Sequence, residues 1–164
     1  MSDRFFVVTG GPGAGKTSLI IELARCDFHT IPESGRAIIR EEMASGGDAL
    51  PWGNRMAFAE RMLECDLRAY EDAQTLSGPV IFDRGIPDIM GYLTLCGLPL
   101  PPHVAAAAKA ARYNRRAFLA PFWDEIFTQS DGTFAPSRWS SFPRVTSRWS
   151  NWRRRAGGCP AWRP

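Results

Sequence analysis

VVTGGPGAGKTSLI, Val7 to Ile20, decides the fold. An apolar run, Arg4–Thr9, ends in a cluster of glycines. A lysine, a threonine and a second apolar segment follow. The spacing Gly10-Gly11-Pro12-Gly13-Ala14-Gly15-Lys16-Thr17 fits GxxxxGK followed by Ser or Thr. Glycines let a backbone turn tightly and approach an anion with no side chain in the way. Successive N–H groups then point inward, and the helix that follows adds the positive end of its dipole. The strand before and the helix after are the context this mechanism needs. The loop therefore predicts nucleotide binding by Gly10, Gly11, Pro12, Gly13, Ala14, Gly15, Lys16, Thr17 and Ser18. Lys16 is expected to reach the β- and γ-phosphates, and the Thr17 hydroxyl to ligate Mg²⁺.

Strands and helices alternate along the chain on either side of this loop. Strands are expected at Arg4–Thr9, Phe28–Ile31, Pro79–Phe82 and Ala117–Ala120. Helices are expected at Thr17–Arg25, Gly35–Ala44, Arg55–Leu76, Ile89–Cys96 and His103–Tyr113. The long one carries Met56, Ala59, Leu63, Leu67 and Tyr70 at three- and four-residue spacings. Such alternation predicts a parallel sheet in an α/β layered fold, and the Gly10–Thr17 loop makes the expected type that of the P-loop NTPase three-layer fold.

Two further stretches carry chemistry. In VIFDRG, Val80 to Gly85, Asp83 ends an apolar strand, where a Mg²⁺-holding acid (Walker B) belongs. The plain alternative is a turn in which Asp83 caps the next helix. Arg84 occupies the place where water-activating ATPases carry Glu; Asp83-Arg84-Gly85-Ile86 reads DxGx rather than the DxxG of GTPases, and no NKxD pattern is present. An Asp-Arg pair resembles nucleoside and nucleotide kinases, with Arg84 touching substrate or phosphoryl oxygens. In IPESGRAIIREE, Ile31 to Glu42, Glu33 follows the second strand at the ligand-binding edge. It can meet an acceptor hydroxyl, with Arg36 beside it, or simply favour a helix start capped by Ser34. The candidate catalytic set is thus Lys16, Asp83, Arg84, Glu33 and Arg36. Asp88 and Tyr92 are candidates for lining a substrate pocket. Glu41 and Glu42 read as solvated helix surface, and His29 and His103 as structural.

TGGPGAGKTSLI, IPESGRAIIRE, VIFDRGIPDIMGYL and FLAPFWDEIFTQ together resemble the P-loop AAA-type domain family that includes the NadR ribosylnicotinamide-kinase-like proteins. The resemblance spans about Arg4 to Gln129. It implies that Gly10–Ser18 hold the nucleotide, that Asp83 is the Walker B acid, and that Glu33 and Arg36 match the family's E-x-x-R. Members continue with a charged lid and then a helix, a strand and a closing helix. None is legible after Gln129, so the last strand and helix are expected to be missing.

The composition changes there. Residues 1–130 carry 13 Lys and Arg against 16 Asp and Glu, while residues 131–164 carry 7 Arg against Asp131 alone. That tail holds four of the six tryptophans and no Leu, Ile, Met, Glu or Lys. The expected division is a nucleotide-binding domain over 1–130 and an Arg/Trp/Ser/Pro-rich tail over 131–164. The tail reads first as disordered or frameshifted, then as a native disordered tail, and last as a nucleic-acid-binding arm. The four cysteines form no CxxC pair, no secretory signal is present, and no run approaches the ~20 apolar residues of a membrane span. A cytoplasmic protein without membrane attachment is expected. ATP and Mg²⁺ are the expected cofactors. The expected activity is kinase-like phosphotransfer to a small hydroxylated, nucleoside-like acceptor. A nucleotide-dependent regulatory module or weak ATPase is the alternative.

Overall fold

The computed structural model describes residues 3–11 and 13–120. Pro12 and the tail over 131–164 lie outside the described residues, as do Trp123, Asp124 and Glu125. Nine elements follow in chain order: β1 (Phe5–Gly10), α1 (Lys16–Arg25), β2 (His29–Ile31), α2 (Ser34–Ser45), α3 (Arg55–Ala73), β3 (Val80–Asp83), α4 (Ile86–Cys96), α5 (Pro102–Ala110) and β4 (Phe118–Ala120). Each expected element is found, with its ends moved by a few residues.

The four strands form one sheet in the order β2-β3-β1-β4, and every pairing is parallel. Parallel strands need crossovers that cover the sheet on both faces, and the side-chain alternation shows where each helix packs. Val8 and Ile81 turn to one face, where they meet Ile20 and Leu23 of α1. Phe5, Val7, Val80 and Phe82 turn to the other, against Ala73 and Tyr70 of α3 and the ring of Tyr113. There Phe82 meets Phe5 and Tyr113 edge-on, with ring centroids 5.3 Å apart in both pairs. A second apolar layer joins α3, α4 and α5 through Ala59, Leu63, Ile86, Ile89, Leu93 and Val104. The result is three layers: α1, the sheet, and the α3–α4 pair with α5 beyond it.

Register places the site. Val8 pairs with Asp83, Ile31 with Phe82, and Gly10 with Ala120. The carboxyl ends of β1, β2 and β3 therefore finish level, with Gly10, Glu33 and Asp83 at one edge of the sheet. Asp83 has the same parity as Ile81, so its side chain turns to the α1 face. Gly10 is required where β1 meets β4: a Cβ there would lie 2.6 Å from the Ala120 carbonyl oxygen, at a φ of +138°.

Glu42 departs from the sequence reading. It is buried at 7% exposure. Its carboxylate takes Arg61 as an ion-pair partner and accepts the Ala49 amide at 3.1 Å. It lies four residues after buried Ile38 on the inward stripe of α2, so it pins the α2–α3 connection to α3. Glu41 is exposed as expected, and its carboxylate takes the other arm of Arg61 at 2.8 Å.

Candidate phosphate-loop active site

β1 delivers the chain to the glycine loop and α1 carries it away. Gly13 and Gly15 have φ of +72° and +74°. Both angles lie in the left-handed region, which is costly for other residues. Gly15 forms the N-terminal cap of α1 with no side chain over the helix end. Ala14 is buried, whereas Thr17 and Ser18 stand exposed in the first turn. Lys16 is bent back into the loop: Nζ donates to the carbonyls of Gly10 at 3.0 Å and Gly11 at 2.7 Å. Only 6% of it is exposed. Burial, and then the nearby Arg84 guanidinium, lower its pKa to about 8. Its hydrogen bonds go to neutral carbonyls alone, and the Glu33 and Asp83 carboxylates oppose the fall without bonding to it.

Asp83 ends β3 and is buried at 6% exposure. Its Oδ1 has no hydrogen-bond partner among the described residues. Burial first and the Glu33 carboxylate second push its pKa up, opposed by Lys16 and Arg84. A buried carboxylate oxygen without a donor costs free energy unless a cation meets it. Asp83 does not cap α4. That task falls to Asp88, whose Oδ2 accepts the Gly85 amide at 2.9 Å, while its Oδ1 accepts the Thr9 hydroxyl.

Arg84 sits at φ +71°, unusual for a residue with a side chain. Its amide still extends the ladder by donating to the Val8 carbonyl at 2.8 Å. The turned backbone sends the guanidinium to Glu33: Nε donates to Oε1 at 3.0 Å. Arg36, in the first turn of α2, lies 3.4 Å from Oε2 of the same carboxylate. Glu33, rather than Ser34, is the cap residue of α2, and it makes no side-chain capping bond. Its carboxylate is spent on the two arginines.

Thr17, Glu33, Arg36 and Asp83 line one cleft of about 340 Å³ between α1 and the β2–α2 segment. Ile20, Ile21 and Ala24 of α1 supply apolar wall, and Arg40 adds a further cation. Every described residue of the expected site is thus brought to one edge of the sheet. Asp88 holds the frame of the site by its bonds to Thr9 and Gly85. Tyr92 packs edge-on against Phe58, at 5.6 Å between centroids, as part of the helical layer. His103 meets Glu60 at 2.8 Å, joining α5 to α3, in keeping with its structural reading.

Two neighbours escaped the sequence reading. Arg40 lies one turn beyond Arg36. Asp66 lies on α3, and burial raises its carboxyl from 3.8 to about 6. Ser34 hydrogen-bonds it and Arg84 opposes the rise, while Asp88 and Glu33 add to it. The sequence held a signal for Asp66: it falls on the apolar stripe of α3, three residues after Leu63 and four before Tyr70.

The residues present suit a nucleotide with Mg²⁺. The loop offers left-handed glycines and a cation bonded to carbonyls alone, and Asp83 offers an unpartnered buried oxygen. Among the described residues no group of three or more His, Cys, Asp or Glu side chains is placed to hold a metal. Mg²⁺ held beside phosphates needs only one or two protein ligands. No helix among the described residues is long and apolar enough to cross a membrane.

The family model described as AAA domain matches residues 5–150. The chain belongs to this family, and its loop is that of a nucleotide-binding P-loop protein. A search of the curated proteins finds none that matches.

Proposed function

We propose that this member of the AAA-domain family transfers the γ-phosphoryl group of ATP to a small hydroxylated, nucleoside-like acceptor, as its resemblance to ribosylnicotinamide-kinase-like proteins implies. The observation that carries the reading is Glu33. Two arginines fix its carboxylate, and it lines the same cleft as Thr17 and Asp83.

Bound Mg²⁺ would be held by Thr17 and Asp83 and would neutralise phosphate charge. Lys16 exchanges the Gly10 and Gly11 carbonyls for the β- and γ-phosphate oxygens. Glu33 accepts the proton of the acceptor hydroxyl as its oxygen bonds to the γ-phosphorus, and the bond to the ADP oxygen breaks. Arg84 and Arg36 hold Glu33 in place and present N–H groups toward the oxygens in transfer. Arg84 stands where a hydrolytic enzyme would place a water-activating carboxylate. ADP formation without an acceptor is therefore slow.

The test is ADP release by the full chain with ATP and Mg²⁺, alone and with a panel of nucleosides, ribosylnicotinamide among them, and of nucleoside-like acceptors that carry a phosphate or carboxylate. Acceptor-dependent ADP formation, lost in Glu33→Gln with ATP affinity retained, supports the proposal. Rapid acceptor-independent hydrolysis that Glu33→Gln leaves intact would overturn it.

A further inference from the structure

Among the described residues, Arg40 is the one cation lining the cleft that no carboxylate answers. Two carboxylates line the cleft. Asp83 faces the expected metal position, and Glu33 is matched by Arg84 at 3.0 Å and Arg36 at 3.4 Å. The Arg40 side chain lines the same cleft yet makes no hydrogen bond or ion pair with any described residue. The two acids that follow it in sequence are not available to it, because Glu41 and Glu42 are both taken by Arg61. Four residues separate Arg36 from Arg40, so their side chains stand on one face of α2, one turn and about 6 Å apart. Arg36 and Arg40 line the cleft together with Thr17 and Asp83, so this face of α2 borders the phosphate end of the site. Opposite it, Ile21 of α1 is 49% exposed, leaving an apolar wall across from the arginines. A cleft of this size suits a small molecule with an apolar body and one anionic end.

We propose that the acceptor carries a phosphate or carboxylate group besides its hydroxyl, and that Arg40 receives that anion, with Arg36 one turn before it. The inference rests on the phosphotransfer reading above and names the chemical class of its acceptor. It makes Arg40 a specificity residue for the acceptor and gives it no role in holding ATP.

Calorimetry on the full chain separates the two claims. The first titration uses AMP-PNP with Mg²⁺. The second, on the nucleotide-saturated protein, uses inorganic phosphate in one arm and acetate in the other. The expected result is one further equivalent of phosphate or acetate bound, the arm that binds identifying the group. Arg40→Ala weakens that binding at least tenfold and leaves the AMP-PNP isotherm unchanged, while Arg40→Lys restores part of it. No binding of either anion to the saturated protein would overturn the inference, as would an Arg40→Ala variant that binds them like the parent. A loss of AMP-PNP affinity in Arg40→Ala would overturn it too, by making Arg40 a clamp on the nucleotide. Failure of the parent chain to bind AMP-PNP in the first titration would overturn the nucleotide reading itself.

Discussion

Replacing Asp66 by asparagine should stabilise the protein at neutral pH and leave it unchanged in acid. Burial raises the Asp66 carboxyl from 3.8 to about 6, so the fold favours its protonated form. The stabilisation of that form is fully present below about 4 and is lost as the pH rises through about 6. At neutral pH the fold therefore carries an ionised carboxylate that water would hold more cheaply. A displacement of about two on the pH scale corresponds to roughly 3 kcal/mol. Partial exposure of the side chain reduces this, and about 1–2 kcal/mol is the difference expected in urea unfolding. Asn keeps the shape and a hydrogen-bonding group for Ser34. Asp83 is shifted in the same direction, so the pH profile of the parent alone is ambiguous and the gap between parent and variant is the quantity to read. Far-UV circular dichroism at pH 7.5 should show Asp66→Asn more stable, and at pH 4 the two curves should nearly coincide. A variant less stable than the parent at pH 7.5 would refute the reasoning. It would mean that attraction to Arg84 outweighs desolvation, and that Asp66 is a stabilising ion.

Three further outcomes follow from the site. Lys16→Ala should abolish measurable ATP–Mg²⁺ binding by calorimetry while circular dichroism stays native, because the side chain it removes bonds only to loop carbonyls in the free protein. Asp83→Asn should slow acceptor-dependent ADP formation by at least about a hundredfold and weaken its dependence on Mg²⁺ concentration, whereas Glu33→Gln should leave that dependence intact. Gly10→Ala should cost at least about 2 kcal/mol in urea unfolding, since its Cβ meets the Ala120 carbonyl at 2.6 Å on a backbone already at φ +138°.

The fold was legible because its signals are local. A strand that ends in GGPGAGKT can only turn into a helix there, and DRG after VIF marks a strand end. Both ends prove to lie side by side through the Val8–Asp83 pairing. Side-chain polarity was less reliable than position. Glu42 reads as a surface acid by residue type and Asp66 drew no reading at all, yet each falls on the inward stripe of its helix, Glu42 after Ile38 and Asp66 between Leu63 and Tyr70. An acid on an apolar stripe is buried only if something tertiary answers it. Arg61 from α3 answers Glu42 and Ser34 from α2 answers Asp66. Those partners lie 19 and 32 residues away along the chain, beyond the reach of any local pattern.

Departures from local rules gather at the sheet edge. Arg84 takes a left-handed backbone that its side chain disfavours, and it does so in order to aim at Glu33. Glu33 begins a helix without capping it. Lys16 is a buried cation bonded to carbonyls, and Asp83 is a buried anion with an empty oxygen. Each departure costs stability in the free protein. A structural role gives no reason to keep all four together, since an apolar pair in place of Lys16 and Asp83 would pack at no such cost. A bound phosphate chain with its cation removes both deficits at once, because phosphate oxygens answer Lys16 and the cation answers Asp83. The free energy withheld in the unliganded loop is thus returned on binding, so the protein should gain stability from ATP with Mg²⁺ well beyond what either gives alone.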